Sequence, residues 1–95
     1  MARSMTPREV WEAAERGEAK IFDLRTEVER RRYGAPPGAI PVSLARHIAA
    51  PESAPAVYLC QHAVRSKLTG RHGAPEVEGG FVAWVEAGLP VEQVR

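Results

Sequence analysis

A chain of 95 residues that is 44% hydrophobic has material for one compact core, near the small end of the range in which a core holds without metals or disulfides, so a single domain over residues 1–95 is expected. Its 13 basic and 12 acidic side chains leave a formal charge of +1, which offers no global attraction to nucleic acid or to an anionic membrane. No segment approaches the roughly 18 apolar residues of a membrane span, the first residues lack the apolar run of a signal peptide, and one cysteine cannot close an internal disulfide; a cytoplasmic protein without membrane or nucleic-acid partners is the expectation.

In chain order, Thr6-Pro7-Arg8-Glu9 reads as a helix start, with Thr6 as N-cap, Pro7 at the first helical position and Glu9 completing a capping box. Val10, Ala13 and Ala14 then share one face, and Gly17 ends the helix. Lys20 to Arg25 has the apolar density of a buried strand ending in charge. Glu27 to Tyr33 is charged and helix-compatible, and Gly34-Ala35-Pro36-Pro37-Gly38 stops it. Ala39 to Val42 is a short extended piece, which Pro41 assigns to a sheet edge. Ser43 is placed to cap a short helix through Ile48, and Pro51 to Pro55 reads as a loop.

Ala56-Val57-Tyr58-Leu59 is the next strand, and the chain's one cysteine, Cys60, stands where that strand breaks into Gln61-His62-Ala63-Val64-Arg65-Ser66. A strand delivers a side chain to the edge of a sheet, and a turn leading into a helix points backbone N–H groups back at it, a cradle for anions. With Arg65 closing the loop, this arrangement favours a nucleophilic thiolate at Cys60. A short helix over Ser66 to Gly70, a break at Gly73 to Pro75, an extended Glu76 to Glu78, a turn at Gly79-Gly80 and a helix from Phe81 to Ala87 closed by Gly88 complete the reading. Leu89 to Val94 is a tail able to pack back through Val91 and Val94. Strands alternating with helices favour a small α/β fold, a parallel sheet with helices on both faces.

Among the remaining candidates, Asp23 stands at a strand end, where α/β proteins place functional groups. Arg25 is expected to pair with Glu27 or Glu29, and Arg30-Arg31-Arg32 to form a solvated helix face. Phe81 and Trp84 read as core, Trp11 as packing for the first helix, and Gly79 and Gly80 as the turn beneath the site. Cys60, His62 and His72 lack the paired spacing of a metal centre, so no metal is expected.

Four elements in fixed order are similar to the rhodanese family of sulfurtransferases. Asp23-Leu24-Arg25 resembles its Asp-x-Arg strand end, and Pro37-Gly38-Ala39-Ile40 its Pro-Gly-Ala-hydrophobic turn. Cys60 to Arg65 has the spacing of its six-residue active-site loop; Glu78 to Trp84 with Gly88-Leu89-Pro90-Val91 resembles its C-terminal signature. The likeness runs from Ile21 to Val91. It lacks the family's histidine before the Pro-Gly-Ala turn, carries Ala63 where glycine is frequent, and is shortened over Leu44 to Ala56 and between Arg65 and Gly79.

The resemblance implies a minimal rhodanese-like domain in which Cys60 takes sulfane sulfur from thiosulfate or a persulfide and passes it to a thiol, a protein sulfur acceptor or cyanide. Cys60 and Arg65 are then the catalytic residues, and the N–H groups of Gln61, His62, Ala63 and Val64 bind the substrate. Asp23, Arg25, Gly79 and Gly80 are structural near the site, with Asp23 hydrogen-bonding backbone of the loop or the neighbouring turn; no cofactor is implied. The related phosphatases use a loop one residue longer. The competing readings are a sulfur-carrier or sensing module, and a degenerate binding module, acting with protein partners.

Overall fold

The structure, a computed structural model, describes residues 4–43, 55–61 and 75–95. In these, β1 (Ser4–Met5), α1 (Pro7–Glu15), β2 (Lys20–Asp23), α2 (Glu27–Tyr33), β3 (Ile40–Pro41), β4 (Ala56–Leu59), β5 (Glu76–Val77) and α3 (Gly80–Glu86) follow one another. The expected helix from Ser43 to Ile48, most of the loop before β4, the short helix over Ser66 to Gly70 and the start of the break before β5 lie outside the described residues.

Local chemistry accounts for the helix bounds. The Thr6 hydroxyl accepts the Glu9 N–H at 3.2 Å while Glu9 Oε1 accepts the Thr6 N–H at 2.9 Å, the reciprocal box read from the sequence. A second box that the sequence analysis did not read starts α2: Glu29 N–H donates to the Thr26 hydroxyl at 3.2 Å and Thr26 N–H to Glu29 Oε1 at 2.9 Å. Gly34 ends α2 at φ 84°, and a Cβ there would meet Val91 Cγ1 at 2.6 Å and the Glu92 carbonyl at 2.9 Å. Glycine is therefore required twice over, by backbone conformation and by the tail, which bridges Ala35 and Glu92 through two backbone hydrogen bonds.

The strands form one five-stranded sheet in the order β1-β5-β4-β2-β3, with every neighbouring pair parallel. β3 takes the edge, as Pro41 requires. β1 was not anticipated: Ser4 and Met5 pair with Glu76 and Val77, and two residues carry no alternation to read. β4 lies in the middle with all four residues buried, so it reads as a continuous apolar run.

Residues in register across parallel strands share a face. Ile21, Val57 and Leu59 point to the side covered by α1 and α3, where they pack with Val10, Val77, Phe81, Trp84 and Leu89. Phe22, Ala56 and Tyr58 point to the other side and join Leu24 and Val42 in a second buried cluster. Trp84 is fully buried; Trp11 meets it edge-on at 6.0 Å, and its indole N–H donates to the Pro90 carbonyl at 2.8 Å, so one side chain joins α1, α3 and the tail. Among the described residues no helix is long and apolar enough to cross a membrane.

Two stability outcomes follow from this packing. Trp84→Ala is expected to cost about 3–5 kcal/mol in chemical denaturation, through the cavity and the lost bond to Pro90. At the start of α1, the Thr6 backbone N–H, then its hydroxyl, hold the Glu9 carboxyl below its ordinary value of 4.5. A lowered carboxylate stabilises the fold above its ordinary value and loses that contribution as pH falls through the folded value. Thr6→Ala should cost about 1 kcal/mol near neutral pH and, because the Thr6 backbone N–H remains, reduce the acid-side dependence only in part, as read by urea unfolding across pH.

Candidate functional site

The order of the strands places the site. From β2 the chain moves outward to β3, whereas β4 lies on the other flank of β2 and leads on to β5. Chain direction diverges between β2 and β4, and a crevice at such a point lies beyond the carboxyl ends of the strands. Asp23 pairs in register with Leu59, so the segments that meet there are Asp23-Leu24-Arg25 and Cys60-Gln61. The Leu24 N–H still bonds the Leu59 carbonyl at 2.8 Å, which carries the ladder to the rim.

Cys60 has 1% of its surface exposed, and its backbone is held by α3. The Phe81 N–H donates to the Cys60 carbonyl at 2.8 Å and the Val82 N–H to the Gln61 carbonyl at 3.2 Å, so two N–H groups of the first turn of α3 take partners in the strand-end segment. Gly79 makes that approach possible: it caps α3 at φ 74°, and a Cβ would stand 2.7 Å from that of Ala83. Gly79 thus lies in the turn before α3, and Gly80 is the first residue of that helix.

Asp23 is wholly buried and Arg25 is 4% exposed. Asp23 Oδ1 accepts the Arg25 backbone N–H at 3.0 Å and Nε at 2.9 Å; Oδ2 accepts Nη2 at 2.7 Å. The bond to the backbone N–H stays within the segment that leaves β2, two residues on from Asp23. The rest of the guanidinium is also engaged, with Nη2 donating to the Gly34 carbonyl at 2.7 Å, Nη1 to Gln61 Oε1 at 3.2 Å, and the cation 4.1 Å from the centre of the Phe81 ring.

The expected pairing of Arg25 with Glu27 or Glu29 is therefore wrong. Glu27 pairs with Arg31 at 2.6 Å and Glu29 caps α2, both at the surface, where an ion pair contributes little. Asp23 is inside, presents two oxygens to a planar fork, and would be a costly unpaired charge without its partner. The solvated arginine face needs a similar correction. Arg31 and Arg32 are exposed, but Arg30 turns inward and donates Nε to Asp23 Oδ2 at 3.2 Å.

Of the sequence-derived site residues, the structure brings together Cys60, Gln61, Asp23, Arg25, Gly79 and Gly80. His62, Ala63, Val64 and Arg65 lie outside the described residues. The sequence analysis missed the roles of Arg30, of the Gly34 carbonyl, and of the Gln61 side chain, whose partner is 36 positions away and leaves no local signal. Beside Gln61, a groove of about 370 Å³ is walled by Tyr33, Phe81, Val82, Val85 and Glu86. Among the described residues no three side chains of metal-ligating type gather.

No protein-family model matches the sequence and no curated protein matches it, but solved structures do match its fold. A rhodanese-related protein from Thermoplasma volcanium is 22% identical with a TM-score of 0.77, the match covering 95% of this chain and 97% of that one. A thiosulfate sulfurtransferase from Pseudomonas aeruginosa is 22% identical with a TM-score of 0.77, over 98% of this chain and 20% of its own. A possible tyrosine phosphatase from Rhodopseudomonas palustris is 24% identical with a TM-score of 0.75, over 96% of this chain and 85% of that one. At these identities the likeness establishes the fold.

Removing the charge that holds the two arginines tests the architecture of the site. Asp23→Asn is expected to cost about 3 kcal/mol in urea unfolding, because a buried guanidinium loses its counter-charge. Unchanged stability with lost function would assign Asp23 to the chemistry instead.

Proposed function

Because the chain has a rhodanese-like fold, we propose that it is a sulfurtransferase that carries sulfane sulfur as a persulfide on Cys60. The observation that carries this reading is the position of Cys60 one residue past the central strand β4, at the strand ends where the order of chain connections reverses between β2 and β4, with its carbonyl bonded to the start of α3. A thiolate there attacks the outer sulfur of thiosulfate. The new S–S bond forms as the S–S bond of the donor breaks, sulfite leaves with its electron pair, and the enzyme retains a persulfide anion. In the second half-reaction a thiolate or cyanide takes the outer sulfur and the Cys60 thiolate is regenerated, so ping-pong kinetics are expected.

Arg65, five positions after Cys60 in the sequence, supplies positive charge for the dianionic donor in this proposal, and the N–H groups from Gln61 to Val64 stabilise the negative sulfur. The six-residue spacing from Cys60 to Arg65 favours sulfur over phosphate, for which a longer loop is expected. The groove beside Gln61, rimmed by half-exposed Tyr33 and Val85, favours a second reading in which the acceptor is a protein thiol rather than a small molecule.

Intact mass after brief incubation with thiosulfate tests the proposal. The parent protein should gain the mass of one sulfur atom and lose it on addition of a reducing thiol, while Cys60→Ser gains nothing and Arg65→Ala loads at least tenfold more slowly. No gain from thiosulfate or from persulfide donors would overturn the reading.

A further inference from the structure

The guanidinium of Arg25 is anchored before it reaches the Cys60 segment. Nε and Nη2 are taken by the two oxygens of Asp23, and Nη2 also by the Gly34 carbonyl, at 2.7–2.9 Å. These bonds tie the cation to the end of β2 and the end of α2. Arginine stays charged under all ordinary conditions and its fork is planar, so the direction of Nη1 is set by the other two nitrogens. That direction leads to Gln61 Oε1 at 3.2 Å.

A second path runs through Phe81. Its ring lies 4.1 Å from the Arg25 cation, and its backbone N–H donates to the Cys60 carbonyl at 2.8 Å. Residues 60 and 61 are thus gripped from two directions that converge on one side chain. With the Cys60 carbonyl turned to α3, planarity of the trans peptide puts the Gln61 N–H on the opposite side, away from α3. Rotation of this peptide would move that donor relative to the Cys60 sulfur.

We propose that Arg25 is a positioning residue, which holds the Cys60–Gln61 peptide in its reactive orientation through the Gln61 side chain and the Phe81 ring. The inference rests on Cys60 being the sulfur-carrying nucleophile. Asp23 and Gly34 already satisfy most of the buried cation. The bond to Gln61 adds a link to the strand-end segment, and its loss acts on the rate of the step at sulfur. Displacement of a reacting group by about 1 Å is enough to cost up to about a hundredfold.

Gln61→Met is the informative variant, since it keeps the length of the side chain and removes the acceptor. It is expected to remain cooperatively folded, to load sulfur from thiosulfate about tenfold more slowly at saturation, and to change the half-saturating thiosulfate concentration less than about twofold. Alkylation of its Cys60 by iodoacetamide should slow in parallel. Arg25→Lys, which keeps the charge but not the fork, should show the same loss; if it does not fold, Gln61→Met decides. Parent-like loading and alkylation in folded Gln61→Met would overturn the proposal, because a role confined to stability leaves the rates of folded molecules unchanged. Should the parent fail to load from any sulfur donor, the sulfur-transfer reading falls while the alkylation comparison still decides whether Arg25 positions Cys60.

Discussion

Arg25 lies inside the protein because Asp23 lies there with it. A buried cation without a partner is costly, and a buried pair still bears a desolvation penalty that good geometry must offset. Here the offset is dense: two carboxylate oxygens, a carbonyl, an amide oxygen and an aromatic face surround one guanidinium. Each partner belongs to a different part of the chain, so satisfying one charge specifies how β2, the end of α2, the residue after Cys60 and α3 meet.

The apolar framework supports that arrangement. β4 is buried on both faces; β2 extends both apolar layers through Ile21 and Phe22, and β5 extends the one under α1 and α3 through Val77. The layer under α1 and α3 ends at Trp84, which binds α1 through Trp11 and the tail through Pro90. The tail in turn closes over Gly34, whose carbonyl is one of the acceptors of Arg25. Core packing and the polar network therefore share residues, and disturbance of either is expected to reach the strand end that carries Cys60.

Parallel strands end side by side, so a sheet of this order brings short polar segments together at one rim. Three features meet there: a cysteine immediately after a central strand, a carboxylate one strand away in register with the residue before that cysteine, and the first turn of a glycine-capped helix. The cysteine segment is restrained through backbone carbonyls bonded to α3. The half-exposed side chains of Tyr33 and Val85 beside Gln61 form the apolar margin of that rim.

Much of this was legible in the residues themselves, because the signals are local. The Thr6 to Glu9 box, the glycines at 17 and 34, the apolar run from Ala56 to Leu59, the edge proline at 41 and the placement of Cys60 each depend on neighbours within a few positions, and the order of strands and helices they mark was enough to expect a small parallel α/β sheet, which the four ordered motifs narrowed to a rhodanese-like fold. What the tertiary structure decided are pairings between distant segments. Nothing near Arg25 in sequence marks Asp23 as preferable to Glu27; the choice follows from which carboxylate is buried. Arg30 looked like its exposed neighbours until the helix was laid against the sheet, Gln61 gained a role from a side chain 36 residues away, and the two residues of β1 form a strand only because β5 lies beside them. Local propensity and capping act over a turn or two, whereas burial, which sets the worth of a charge or a hydrogen bond, exists only after the chain has folded.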